Sequence, residues 1–367
     1  MLSFGRRAFV SALVVSSFFV GTAGDAAAQS SSFTGRRLGK NRYGEEVKVT
    51  REVGNGFTDR WQAIAAARLT GSEAVLVKTR DGKLHAFATT ANAYGGLTPA
   101  DDSEVRAIMP LPSPKQAVSP KGGTIDEPFA ALALGLEAKE VNITFRQENR
   151  LAGVVNVNAG LPASIGGTHG AIGAKDEDFR YGAATAIEIN RALFLKNDPR
   201  VPAAAFFHET VHHADYELAQ RWVKKYIEEK RIDSKLFDGK RDRALLPWLL
   251  NQKDLSDADA ATVSDVAAKV PGATEARAYV RTFIAASQAG AFDIARDTLR
   301  VYAQQIASQQ APTSDYVPAG LRTELNTAYR ALDANGQRQL KAAFEAATKG
   351  APSSWISRFE LGSSRRS

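Results

Sequence analysis

Apolar residues Phe207, Val211, Ala214, Leu218 and Trp222 recur at spacings of four, three, four and four, which places one continuous stripe on an α-helix. Pro202 stands where such a helix begins, since its fixed φ and missing N–H suit the first turn. Upstream the period shortens. Segments 141–146, 153–158 and 184–190 read as strands, and 73–79 and 83–89 alternate around Arg80-Asp81-Gly82, which predicts a hairpin. Helices are predicted over 59–69 and over 126–138, the second opening on Asp126-Glu127-Pro128. Beyond Asp233 the pattern is almost wholly helical, with segments 242–250, 257–269, 275–289, 291–309, 320–332 and 337–348 punctuated by Gly290, Pro312, Gly336 and Gly350.

These elements imply an α+β fold: a sheet, a long helix after it, and a mainly helical C-terminal bundle. Five segments follow. Residues 1–28 read as a signal peptide; 29–123 as an N-terminal segment with a small helix-hairpin unit and a Pro-rich linker or wrapping stretch (Pro99, Pro110, Pro112, Pro114, Pro120). Residues 124–233 hold the sheet and the long helix, 234–350 the helical subdomain, and 351–367 a tail. The glycine-rich run 160–173 is expected to be a mobile loop over a cleft, and it lacks the Gly-Lys-Ser/Thr ending of a phosphate loop.

The N-terminal segment leads to the expectation that the chain is exported. Arg6-Arg7, an apolar stretch from Phe9 to Val20 and Ala26-Ala27-Ala28 form an export signal, and the paired arginines followed by Ala8-Phe9-Val10 resemble a twin-arginine signal. The expected location is the bacterial periplasm or the medium, and a general secretory signal is the alternative. There is no Cys, so neither a lipidated cysteine nor a disulfide is available. No other run approaches a membrane span, so no stable membrane insertion is expected after signal removal. The net charge of +7 falls to +6 without the signal, and aromatic and basic residues form no nucleic-acid module.

The chemistry lies on the long helix. His208-Glu209-Thr210-Val211-His212 puts two imidazoles one turn apart on one face, within reach of a single tetrahedral ion. Glu209 points about 100° away, beside such an ion, where it can take a proton from a water whose pKa the metal lowers to about 7.

In this H-E-x-x-H motif the chain resembles the zincin metallopeptidases, over residues 141 to about 288. The resemblance implies a zincin-like mixed sheet plus active-site helix, with segment 184–190 as the edge strand bordering the substrate cleft, and a third ligand from a later helix. Asp215 and Leu218 stand where the metzincin pattern has its Gly and third His, which argues against three histidines. Glu275, opening a predicted helix behind Thr274 and followed by Ala276 and Ala278, is similar to the gluzincin pattern and is the expected third ligand. Glu228 and Glu229 are further carboxylates, several turns along the motif helix. Asp215 is expected to hydrogen-bond a ligand imidazole, with direct ligation as its rival role. His213 is read equally as a surface or cleft residue and as a catalytic one. Such peptidases need a donor for the developing oxyanion, and Tyr279, on the face of Glu275, is expected in that role, with Tyr216, Tyr181 and His169 as alternatives.

The expected function is an exported metallopeptidase holding one Zn2+ through His208, His212 and Glu275, with Glu209 as general base and a peptide or protein as substrate. A noncatalytic zinc-binding recognition protein on the same scaffold is the alternative, and a helical envelope scaffold with an accidental motif a third.

Overall fold

A computed structural model of the chain describes residues 33–99, 104–120, 123–145, 149–172, 182–230, 272–307, 319–349 and 361. The expected export signal, the helices expected at 242–250 and 257–269, and the 351–367 tail apart from Leu361 lie outside the described residues.

Six strands, β1 (Arg37–Asn41), β2 (Glu46–Phe57), β3 (Ala74–Thr79), β4 (Leu84–Thr89), β5 (Leu97–Pro99) and β6 (Val105–Pro110), form an antiparallel sheet in the order β5-β1-β2-β4-β3-β6. The expected hairpin is β3 and β4, and in its turn Asp81 accepts from the Thr79 hydroxyl and the Lys83 N–H. The Pro-rich stretch supplies β5 and β6. Pro99 and Pro110 end the two edge strands, where a missing N–H breaks no ladder bond, and they mask the alternation that would have announced a strand. Strand β3 is apolar on both faces: Val75 and Val77 pack with Leu38, Val47, Val49 and Phe87, whereas Ala74 and Leu76 face the helical side.

Helix α1 (Arg60–Arg68) covers that second face, and Asp59 caps it by accepting the Gln62 N–H at 2.7 Å. Residues 63–67 are all fully buried, because four alanines and one isoleucine let the sheet and the motif helix close in from both sides. The wholly buried Arg68 donates to the carbonyls of Pro112 at 2.7 Å and Leu132 at 2.6 Å, and burial lowers its pKa to about 10, so it stays charged at neutral pH.

The second sheet contains β7 (Val141–Thr144), β8 (Val155–Asn158), β9 (Gly167–Ala171) and β10 (Thr185–Asn190), in the order β7-β8-β10-β9. The first three neighbours run parallel and β9 runs antiparallel, so the sheet is mixed. Two expectations are corrected here. Segment 184–190 is an interior strand, paired on both sides, and the edge belongs to β9 from the run expected to be a mobile loop. Backbone pairing needs no side chain, so Gly167-Thr168-His169-Gly170-Ala171 enters the sheet without an apolar alternation to advertise it.

Helix α2 (Glu127–Leu134) is capped by Asp126 and stops at Gly135, short of the expected 138. Then follow α3 (Arg200–Lys230), α4 (Gly272–Gln288), α5 (Phe292–Ala307), α6 (Ala319–Ala331) and α7 (Ala334–Thr348). Helix α4 is already formed at Gly272, so Thr274 lies inside it and is not its cap. Gly336 sits in the first turn of α7 and donates to the Asp333 cap at 2.6 Å.

One apolar core joins both sheets to the helices, running through Val53, Ile64, Leu76, Val157, Ile187, Phe206, Val211, Phe283 and Leu299. The N-terminal sheet also reaches α4 directly. The Gly54 N–H donates to the Gln288 side chain at 3.1 Å, and the Arg51 guanidinium lies on the turn at Gly290 (φ +76°) where a Cβ would fall 1.7 Å from it.

Candidate metal centre

Helix α3 buries Ala203, Phe206, Phe207, Thr210 and Val211 against α1, the mixed sheet and α4, and this apolar grip leaves positions 208 and 212 on the side of α4. Their Nε2 atoms lie 3.1 Å apart. The Glu275 carboxylate, from the first turn of α4, places Oε2 at 3.4 Å from His208 Nε2 and Oε1 at 3.3 Å from His212 Nε2. One ligand atom from each of the three groups lies within 4.8 Å of the others, close enough to share one ion. These three side chains can hold a metal ion. The imidazoles are sheltered, 12% and 15% exposed, and the carboxylate side opens outward at 39%. Burial opposes ionisation of Glu275, but the neighbouring His212 charge and the hydrogen bonds from both imidazoles prevail and hold its carboxyl well below the usual carboxylate range.

Tyr279 follows Glu275 by one turn and braces His208: the two rings meet edge to face at 4.4 Å between centroids. Tyr302 of α5 stacks on the far face of Tyr279 at 5.0 Å. Of the other predicted residues, Asp215 has its side chain outside the described residues, as do Glu229 and Tyr181. Glu228 is exposed, roughly four turns beyond His212, and faces Lys224 at 3.8 Å, so it is no part of this cluster.

Glu209 leaves the helix toward β9 and is 5% exposed. Burial pushes its carboxyl above the ordinary carboxylate range, with Glu275 adding to the rise and the two imidazoles opposing it. The residue it meets is Gly167: a Cβ there would lie 2.8 Å from Glu209 Cγ and 3.0 Å from Oε1. One turn further along, His213 Nδ1 lies 3.1 Å from the Thr185 hydroxyl and 3.4 Å from His169 Nε2, and the Tyr216 ring closes on His169 at 5.6 Å. Burial, aided by the charges of His213, His212 and Arg150, drives the His169 pKa well below its ordinary value. A pocket of about 240 Å³ reaches His213, Thr185, Trp61 and Arg60, and none of the three ligand side chains.

Behind β9, the wholly buried Glu188 accepts from the Thr168 hydroxyl and the Asn158 amide, each at 3.3 Å, and faces Arg150 at 3.1 Å. Sequence reading missed Gly167, Thr185, Glu188 and Tyr302. The available signal was the alternation of Gly167 and His169 within a glycine-rich run, which puts both on one strand face.

Compared with protein-family models, with curated proteins and with solved structures, the chain shows no match.

Proposed function

We propose that this chain is a zinc-dependent peptidase of zincin type, gluzincin-like in its ligands, exported through its N-terminal segment. The observation that carries this is the convergence of Glu275, from a separate helix, on the two imidazoles of the H-E-x-x-H turn. Two imidazole nitrogens and a carboxylate are a donor set that suits zinc. The mixed sheet ahead of α3 and its antiparallel edge strand fit the same reading. No described helix is long and apolar enough to cross a membrane.

A zinc ion held by His208, His212 and Glu275 would supply a Lewis acid that lowers the pKa of a water to about 7 and polarises a carbonyl. As general base Glu209 would accept a proton from the water that adds to the scissile carbonyl carbon and return it to the nitrogen as the C–N bond breaks, so that the product leaves as an amine. Burial suits Glu209 to this work, because a raised pKa brings a carboxylate nearer the pH at which it both accepts and returns a proton. His208, His212 and Glu275 hold the metal, and Tyr279 is assigned to the developing oxyanion from its place against His208.

Zinc content and cleavage of an unstructured protein test the assignment. Glu209→Gln is expected to keep one zinc and lose roughly 10²- to 10⁴-fold in rate. Glu275→Ala is expected to lose both metal and hydrolysis. Wild type purified without stoichiometric zinc would remove the peptidase reading, and wild type that binds zinc but cleaves no protein or peptide would turn it into a recognition protein.

A further inference from the structure

The edge strand and the motif helix are keyed together at two points. On β9, residues 167 and 169 share the face turned toward α3, about 6.6 Å apart along the strand. On α3, residues 209 and 213 are one turn apart, about 6 Å. The rises nearly match, so two contacts form in register: Gly167 against Glu209 and His169 against His213. From the other face, Glu188 receives the Thr168 hydroxyl and holds the strand in place between those contacts.

At Gly167 the approach is close enough that only hydrogen fits. A methyl group would come within 2.8 Å of both Glu209 Cγ and the Glu188 carbonyl oxygen, distances that real Cβ atoms do not show. Neither obstacle is a free chain end. The Glu188 carbonyl belongs to the interior strand, and Glu209 is 5% exposed and bounded by the strand itself. The adjacent Gly166 differs: a Cβ there would meet Ala205 and Leu193 at 3.7 and 3.8 Å, ordinary contact distances.

We propose that Gly167 is a positioning residue for Glu209, its missing side chain forming the niche in which the catalytic carboxylate lies, with the His169–His213 contact setting the register that brings the two together. This rests on the reading of Glu209 as general base. The contribution of this glycine-rich strand beside the motif helix is then backbone shape.

Kinetics and melting temperature of Gly167→Ala, Gly166→Ala and Gly167→Ala in a Glu209→Ala background test this in zinc-loaded protein. Gly167→Ala is expected to keep one zinc, to lower kcat by at least about tenfold with KM within about twofold, and to lower the melting temperature by about 3 °C or more. Gly166→Ala is expected to match wild type in all three. In the Glu209→Ala background the melting loss from Gly167→Ala shrinks, because one of its two obstacles is gone, while the Glu188 carbonyl keeps part of it. Equal kcat in Gly166→Ala and Gly167→Ala, or an identical melting loss with and without the Glu209 side chain, would overturn the proposal. The melting arm reads the contact without any cleavage, so an inactive wild type would sink the peptidase assignment and leave the contact decided on its own evidence.

Discussion

Helix α3 carries two histidine pairings on two faces, and they have different surroundings. His208 and His212 stand 3.1 Å apart with both oxygens of Glu275 closing the triangle at 3.3 and 3.4 Å. His213 and His169 stand 3.4 Å apart with the Thr185 hydroxyl and the Tyr216 ring around them. The two pairs therefore differ in what closes them. The first pair has a third, anionic group that would attract a cation; in the second, burial and the neighbouring His213, His212 and Arg150 charges hold the His169 pKa well below its ordinary value.

The most severe way to break this comparison is to remove one imidazole from each pair. His208→Ala is expected to abolish zinc binding and cleavage, whereas His213→Ala still binds one zinc per chain; loss of metal in both, read by metal analysis, would erase the distinction. Next in size is metal removal. Zinc at a thousandfold excess over its Kd stabilises the folded chain by about 4 kcal/mol, so a chelator is expected to lower the melting temperature by that equivalent. His169→Phe should show the same chelator shift, since its ring lies outside the metal triangle.

Tyr279→Phe separates support from chemistry on the metal side. The ring contacts to His208 and Tyr302 survive, so zinc content and melting temperature should hold, while kcat falls by roughly 10²-fold with the loss of an oxyanion donor. Unchanged kcat would leave Tyr279 with bracing alone. The smallest expected effect is in the pH dependence of the second pair. The unfolded chain protonates His169 near pH 6.5 and the folded chain does so only well below that, so the unfolded state binds the extra proton and stability falls as the pH drops. Wild type should therefore lose more melting temperature than His169→Phe between pH 7.5 and 5.5, and parallel curves would show His169 charged in the fold.

Legibility in the sequence followed the range of the interaction. Capping and turn chemistry act within four residues, and Asp59, Asp126 and the Asp81-Gly82 turn were readable with the helices and hairpin they bound. The 3.6-residue period of α3 was readable for the same reason, and so was the shared face of His208 and His212. Strands held by backbone pairing were less visible: β9 has no apolar alternation, and β5 and β6 end in prolines. Their place in a sheet depends on partners that sequence position does not supply, which is also why 184–190 was taken for an edge and proved to be interior.

The sequence by itself determined the local half of this protein: the spacing of the two imidazoles, the carboxylate set about 100° from the first of them, the absence of cysteine, the β3–β4 hairpin and the long helix α3. Only the tertiary structure decided which distant carboxylate completes the cluster, which strand borders Glu209, and that a glycine is the residue facing it. The reason is physical. Backbone geometry carries information over a turn or two, whereas the meeting of α4 with α3 and of β9 with Glu209 is set by how one shared core packs.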